Sequence, residues 1–202
     1  MHPNPAFRNA PENRNFGFAR ERGFGVLAVN AGAGPLISHI PFLLADDGAS
    51  ADLHLVRSNP IARLGAVPAA LAVSGPDGYV SPDWYQTDDQ VPTWNYVAVH
   101  LRGQLEPLPP EHMLDMLNRQ SAAYESRLHP KRPWTTSKMS PDALTRMLRQ
   151  ILPFRLHIES IDGTWKLNQN KTDRAREKAA DAITGSMGSE LAQLAALMRT
   201  TE

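Results

Sequence analysis

Residues 23–57 read GFGVLAVNAGAGPLISHIPFLLADDGASADLHLVR, and this stretch decides the fold class. Turn-forming sequences rich in glycine, proline and aspartate, at residues 31–35 and 46–48, divide it into short apolar runs. Parallel strands need long crossover connections, so strands joined by such short turns must pair antiparallel. The segment therefore predicts three antiparallel strands, at residues 23–29, 36–44 and 51–57.

The rest of the chain adds strands first and helices later. A helix over residues 13–22 should end at Gly23. Further strands are predicted at 69–74 and 93–105, and a hairpin over 154–167 should turn at Asp162-Gly163; residues 75–78 read as a turn and 81–92 as a long polar loop. Helices are predicted at residues 109–125, 140–151, 171–182 and 189–199.

This order indicates a mainly β protein with peripheral helices. We expect an antiparallel, Greek-key-like barrel with the helices packed outside it. The length fits a single domain over residues 1–202, with a helical insertion at about 109–151 and C-terminal helices at about 171–199.

Composition excludes several classes of protein. The chain has no cysteine, which rules out disulfides, thiolate metal sites and cysteine nucleophiles. Twenty-one basic and 21 acidic residues give a formal net charge of zero, which weakens a nucleic-acid-binding interpretation. The first residues lack the pattern of a secretory signal, and the apolar runs are too short to span a bilayer, so we expect a cytoplasmic protein.

A first candidate site is residues 54–60, where a predicted strand ends and a short helix begins. Arg57 supplies a guanidinium, Ser58 a hydroxyl, and Asn59 precedes a helix N-terminus whose amides could face an anion. This combination suits a phosphate group. The alternative is an Asn-capped helix with a surface arginine.

A second candidate surrounds the polar loop, where residues 79–85 and 91–100 carry several large aromatic and hydrogen-bonding side chains. Such a set could enclose a planar heteroaromatic ligand, or it could simply fill one end of the barrel. A third is residues 165–171, where Lys166 and three consecutive amides could clamp a phosphate. The third could also be an ordinary junction in which Asn170 caps the next helix.

Other charged residues favour plainer interpretations. The histidines of the predicted strands form no close ligand cluster, so no metal site is predicted. The basic run over residues 171–178 is interspersed with acidic residues and is typical of a solvated helix face.

Taken together, these segments resemble the PaiB-type FMN-binding negative transcriptional regulators. The matching pieces are Ser38–Leu44, His54–Pro60, Gly75–Tyr85, Val91–His100 and Gly163–Asn170, in family order. The Tyr-Val-Ser-Pro-x-Trp-Tyr and Val-Pro-Thr-Trp-Asn-Tyr blocks are the most specific of them. The resemblance implies an FMN-binding split β-barrel similar to pyridoxamine-phosphate oxidases, and a homodimer with FMN at the subunit interface.

On this basis we expect FMN as the cofactor and assign its ligands. Arg57, Ser58 and the amides after Asn59 would hold the phosphate, while Lys166 and Gln169 would reach the phosphate or the polar edge of the ring. The residues expected along the isoalloxazine are Thr93, Trp94 and Asn95, and His39 and His54 complete the predicted set.

The implied function is negative transcriptional regulation, acting indirectly or through a flavin-linked signal. The alternative is a flavin-dependent oxidoreductase that uses NAD(P)H or another substrate. No helix-turn-helix is apparent, because a long connection rich in proline and lysine precedes the helix at residues 140–151. Direct DNA contact therefore has no support from motif or net charge.

Overall fold

The computed structural model describes residues 2–201. Within this range the strands are β1 Phe24–Ala31, β2 Gly34–Leu44, β3 Ser50–Val56, β4 Val67–Val80, β5 Thr93–Pro107, β6 Ile151–Lys166 and β7 Gly188–Ser189. The helices are α1 Glu12–Arg22, α2 Met113–Glu125, α3 Pro141–Leu148, α4 Asp173–Ala182 and α5 Leu191–Thr200. Short 3-10 helices include Pro60–Arg63 and Pro82–Tyr85.

Hydrogen bonding arranges the strands in the order β1-β2-β3-β6-β5-β4-β7, and β1 also pairs with β4. The pairs β1–β2, β1–β4, β2–β3, β3–β6 and β4–β7 are all antiparallel. Because the order returns from β4 to β1, the six long strands form a closed antiparallel barrel. The predicted fold class, an antiparallel barrel with peripheral helices, is confirmed.

Contacts group the chain into two compact units built from interleaved segments. The central unit consists of Ala19–Ala72 and Leu101–Ile161. The terminal unit contains the segment up to Phe18, then Val73–His100, and the chain from Asp162 onward. Strands β4, β5 and β6 therefore each contribute residues to both units.

The central unit is organised around the first three strands, whose limits match the prediction closely. Alternate residues of each strand point into its core, including Leu27, Phe42 and Leu53. Gly23 ends α1, as predicted, with a φ of +58°. The Tyr124 hydroxyl lies 2.7 Å from the carbonyl oxygens of both Gly23 and Phe42 and shares its one hydrogen between them. These bonds attach α2 to the start of the sheet.

A buried carboxylate also joins α2 to the central unit. Asp52 on β3 is only 4% exposed and accepts hydrogen bonds from Arg155 at 2.7 and 3.0 Å and from Arg119 of α2 at 2.9 Å. Burial alone would raise the pKa of Asp52, but the two guanidinium groups outweigh that effect and lower it. Asp52 is therefore ionised and paired.

In the terminal unit, the turn predicted at residues 75–78 is wrong because β4 continues through it. Its glycines serve close packing instead. A Cβ on Gly75 would lie 2.6 Å from the Phe18 ring, and one on Gly78 would lie 2.8 Å from the Leu191 side chain. Glycine here allows the helices to approach the strand, and the turn-like composition misled the prediction.

The hairpin turn predicted at Asp162-Gly163 is wrong for the same reason, since β6 runs unbroken from Ile151 to Lys166. A Cβ on Gly163 would lie 2.0 Å from the Asn15 side-chain oxygen. That oxygen accepts a hydrogen bond of 2.8 Å from the Trp165 indole, and both side chains are buried. Gly163 thus admits a buried polar contact between α1 and β6.

Helix α4 differs from its prediction in its cap and in one charged residue. Thr172, rather than Asn170, caps the helix by accepting from the amide of Ala175. Arg176 does not lie on a solvated face: it is 7% exposed, and its Nε donates to the Met198 carbonyl at 2.9 Å. The basic run is therefore partly structural.

Candidate functional site

Arg57 lies where β3 ends, and the structure orients its guanidinium. Its backbone amide donates to the Gln150 carbonyl at 2.8 Å, and its Nε donates to the Arg149 carbonyl at 2.9 Å. Among residues 2–201 no carboxylate lies within ion-pair distance of this exposed side chain. The two terminal nitrogens can therefore bind an anion, with the exposed Ser58 next in the chain.

Asn59 has the capping role that the sequence predicts, and this role changes the expected set of donors. Its Oδ1 accepts from the Ile61 amide at 2.9 Å, and its Nδ2 donates to the Ser38 hydroxyl at 3.1 Å. Pro60 has no amide hydrogen, and the Ala62 amide donates to the Asn59 carbonyl. The expectation of free helix amides is wrong, which leaves the side chains of Arg57 and Ser58 as donors.

His54 lies beneath α2 instead of beside an open surface. Burial lowers the pKa of this imidazole, and the Gln120 side chain opposes the shift. Its Nδ1 is buried and has no hydrogen-bond partner among the described residues. The half-buried imidazole contacts Gln120 of α2, so its position gives the predicted cofactor contact no support.

His39 lies on the outer face of the β1–β2 pair. It is exposed and opposite Val26, and the neighbouring pairs on this face are Phe24 with Pro41 and Ala28 with Ile37. Phe24 and Ile37 are 54% and 60% exposed. His39 is thus one polar group within an exposed apolar surface, which we call the β1–β2 face.

In the terminal unit the structure brings together Lys166 and Thr93, which the sequence assigned separately. The Lys166 Nζ donates to the Thr93 hydroxyl at 2.5 Å and lies 5.9 Å from the centre of the Phe7 ring. Lys166 is half-buried, and burial lowers its pKa. No carboxylate of the described chain pairs with it, so this desolvated ammonium is well suited to an anionic ligand.

Strand alternation separates Trp94 from Asn95, which the prediction placed on the same ligand. Trp94 is 42% exposed, and its indole donates to Asp77 at 2.9 Å. Asn95 points the opposite way, is fully buried, and donates to the Met198 sulfur at 3.6 Å. Consecutive residues of a strand face opposite sides, so these two cannot line the same surface.

Gln169 and Tyr85 have mainly structural surroundings. The Gln169 side chain accepts from the Leu167 amide and donates to the carbonyls of Trp165 and Ala6, which ties the end of β6 to the N-terminal segment. Tyr85 is 1% exposed. It therefore fills the interior, in agreement with the alternative interpretation that aromatic residues around the polar loop pack inside the protein.

Sequence reasoning missed two contributors near Arg57. Ser38 fixes the capping side chain of Asn59, and the Arg149 carbonyl orients the guanidinium from 92 positions away. Neither has a local sequence signal, because both contacts arise only when distant segments pack together. Among residues 2–201, no group of three His, Asp or Glu side chains is arranged to hold a metal ion.

Comparison with known families identifies the cofactor of the chain. The sequence family described as "Putative FMN-binding domain" matches residues 1–160, which is most of the chain. The chain belongs to this FMN-binding family. FMN is accordingly its cofactor, and the unpaired cations Arg57 and Lys166 are chemically suited to a flavin phosphate.

A curated relative of this FMN-binding chain is the "Protease synthase and sporulation protein PAI 2" of Bacillus subtilis (strain 168). The two sequences are 29% identical over 194 residues, covering 94% of this chain and 91% of the relative. The protein is thus a flavin-binding protein of the PaiB type.

Solved structures of low sequence identity share the fold. The FAD and heme binding protein from Mycobacterium smegmatis superimposes with a TM-score of 0.59 at 16% identity, over 90% of this chain and 82% of that one. The flavocytochrome Anf3 from Azotobacter vinelandii gives 0.60 at 13% identity, over 82% and 72%. The chain therefore has the split β-barrel fold. Separately, no helix of residues 2–201 is long and apolar enough to span a bilayer.

Proposed function

We propose that Arg57 and Ser58 hold the phosphate of FMN. The observation that carries this proposal is the oriented guanidinium of Arg57, whose Nε is bound to the Arg149 carbonyl while both terminal nitrogens lack a carboxylate partner among the described residues. A planar guanidinium fork matches the geometry of phosphate oxygens. The Ser58 hydroxyl adds a neutral donor beside it.

In the terminal unit, Lys166 is a separate candidate for a flavin contact, at the phosphate or at the polar edge of the ring. The bound flavin supplies redox chemistry, whereas the protein contributes orientation and local charge. A half-buried ammonium without a carboxylate partner gains an anionic neighbour when it binds the cofactor. Thr93 accepts a hydrogen bond from the same Nζ and fixes its position.

The proposed functional unit is a homodimer, with the β1–β2 face contributing to the subunit contact. Exposed apolar side chains on an outer strand face are typical of surfaces that a partner covers, and Phe24 and Ile37 are both more than half exposed. Substituting Ile37→Glu should therefore yield monomers in analytical ultracentrifugation. A dimer that forms as tightly as the wild type would contradict the assignment of this face.

The proposed biological role is negative transcriptional control of the PaiB type. Its support is the similarity to the Bacillus subtilis protein, which covers nearly the whole of both chains. Anaerobic titration with NADPH separates this role from the oxidoreductase alternative. A regulator retains oxidised FMN, whereas rapid bleaching of the flavin absorbance with turnover on an acceptor would favour the enzyme.

A comparison of FMN with riboflavin tests the proposed phosphate site, because riboflavin carries the same ring without the phosphate. Apo protein added at micromolar concentration should quench the fluorescence of FMN. The protein should also bind FMN more tightly than riboflavin. Equal affinities would show that the phosphate makes no contact. Unchanged FMN fluorescence would contradict flavin binding altogether.

A further inference from the structure

The terminal unit contains a cavity of about 270 Å³ whose lining includes none of Arg57, Ser58 and Lys166. Its walls come from the segment before α1, the first turn of α1, the end of β6 and the end of α5. All of these segments belong to the terminal unit. We call it the Arg14 cavity, and the lining residues that matter most are Ala6, Phe7, Ala10, Arg14, Trp165 and Leu167.

Arg14 is the one charged residue among the described residues that line the Arg14 cavity. Its guanidinium carbon lies 4.0 Å from the centre of the Trp165 ring, which is a cation–π contact. The Arg14 side chain is exposed, and no carboxylate of residues 2–201 lies within ion-pair distance of it. Glu12 belongs to the same helical turn, but side chains two positions apart on a helix do not face each other. The guanidinium can therefore bind an anion.

Trp165, the ring beneath the Arg14 guanidinium, is held firmly in place. It is 6% exposed, and its indole nitrogen donates to the Asn15 side-chain oxygen at 2.8 Å. The Phe18 ring packs against it edge to face, with 5.5 Å between the ring centres. A cation that lies over a fixed ring is preorganised, so it loses little conformational entropy when it binds a ligand.

The wall formed by the N-terminal segment is also fixed. The Asn4 side chain caps the 3-10 helix Pro5–Phe7 by accepting from the Ala6 amide at 2.9 Å. The Gln169 side chain donates to the Ala6 carbonyl at 3.2 Å, and Phe7 is 4% exposed. This wall therefore needs little reordering to receive a ligand.

We propose that the Arg14 cavity binds a small apolar monocarboxylate, as a ligand additional to FMN. One unpaired guanidinium matches one carboxylate, to which it can donate two parallel hydrogen bonds. The buried apolar side chains of Phe7, Trp165 and Leu167 suit the rest of such a molecule. Pockets for drug-sized ligands span about 300–1,000 Å³, so this smaller cavity limits the ligand to about the size of a single substituted ring. The inference goes beyond the proposed flavin function and does not depend on it.

The remaining polar groups of the Arg14 cavity favour a carboxylate over a phosphate. The Gln169 amide nitrogen already donates to two backbone carbonyls, and the hydroxyls of Thr200 and Thr201 donate to backbone carbonyls of α5. The lining leaves the Arg14 guanidinium and the neutral amide of Asn9 as side-chain donors. A single cation balances the one charge of a carboxylate, whereas a phosphate dianion would stay partly uncompensated beside apolar walls.

The test is a fluorine NMR titration of the FMN-saturated protein with para-fluorobenzoate. The amide para-fluorobenzamide serves as an uncharged probe of the same shape. A ligand of this size should bind with a Kd of about 1 mM, and the uncharged probe should bind about tenfold more weakly. Flavin absorbance, recorded on every sample, shows whether FMN stays bound.

Two variants and one matched control locate the binding site of the benzoate. R14Q should weaken its binding about tenfold, because the charge-assisted pair is lost. R174Q removes an exposed arginine of α4 that does not line the cavity, so it should leave the Kd unchanged. Ala10→Leu should also weaken binding, because the larger side chain occupies part of the cavity while Arg14 remains. Melting temperatures of the variants confirm that each one folds.

Four outcomes would overturn the proposal. They are no binding of the benzoate at tens of millimolar, equal binding of the two probes, unchanged binding in R14Q or Ala10→Leu, and an equal effect of R14Q and R174Q. Release of FMN by the benzoate would also overturn it, because the cavity would then belong to the flavin site. Repeating the titration with flavin-free protein keeps this test separate from the proposed function, since the benzoate should bind with the same Kd.

Discussion

Replacing Arg57 with alanine should weaken the binding of FMN and spare that of riboflavin. The guanidinium is exposed, and its Nε is held by the Arg149 carbonyl, so its contribution to binding lies in the two terminal nitrogens. The backbone amide of residue 57 keeps its bond to Gln150 in the variant. The substitution should therefore leave the end of β3 in place.

The magnitude follows from the number of bonds lost. A hydrogen bond to a charged group contributes about 1.5–3 kcal/mol, and two such bonds to a phosphate set the upper limit. Solvent exposure screens the ion pair and reduces the total toward about 2 kcal/mol. That loss corresponds to a rise of about thirty-fold in the Kd for FMN.

Flavin fluorescence titrations of the wild type, R57A and R63A complete the test. Arg63 lies in the adjacent 3-10 helix and is also an exposed arginine, so R63A controls for the general loss of a surface charge. Riboflavin should bind R57A and the wild type alike. Equal weakening of FMN and riboflavin by R57A, or an equal effect of R63A on FMN, would refute the phosphate assignment.

Four further substitutions probe charges and packing in the two units. Lys166→Met should raise the melting temperature of the apo protein, because burial disfavours the ammonium and lowers the pKa of Lys166. The same substitution should weaken FMN binding. A lower melting temperature would contradict this account. Asp52→Asn should lower the free energy of unfolding by about 3 kcal/mol near neutral pH. Because folding lowers the pKa of Asp52, the ionised carboxylate stabilises the folded protein at pH values above the unfolded-state pKa. This stabilisation is lost as the pH falls through the folded-state pKa. The free energies of unfolding of variant and wild type, measured by urea titration, should therefore converge in acid. Gly163→Ala should destabilise the folded protein by about 2–3 kcal/mol, because the new Cβ would clash with Asn15. Gly17→Ala in α1, where a Cβ meets open space, should stabilise the protein by up to about 1 kcal/mol. Equal effects of the two substitutions would contradict the packing.

The barrel could be predicted because its early strands follow local rules. Apolar alternation and short turns between residues 23 and 57 determine antiparallel pairing, and the observed strands agree with the prediction to within a few residues. The later errors arose at Gly75, Gly78 and Gly163. Glycine marks both turns and close contacts between elements, and only the tertiary packing distinguishes the two.

The candidate site was less accessible to sequence reasoning, for a similar reason. The hydrogen-bonding cap of Asn59 follows from local chemistry, and the sequence predicted it. The contact of His54 with Gln120 of α2 and the bond from Arg57 to the Arg149 carbonyl join residues that are 66 and 92 positions apart in the chain. The opposite orientations of Trp94 and Asn95 follow from strand alternation, which a motif-based assignment ignores.

The most direct test of the account is a crystal structure of the protein saturated with FMN. We predict density for the flavin phosphate within hydrogen-bond distance of the Arg57 terminal nitrogens and the Ser58 hydroxyl. Density that places the phosphate away from Arg57, with the guanidinium still facing solvent, would contradict the account.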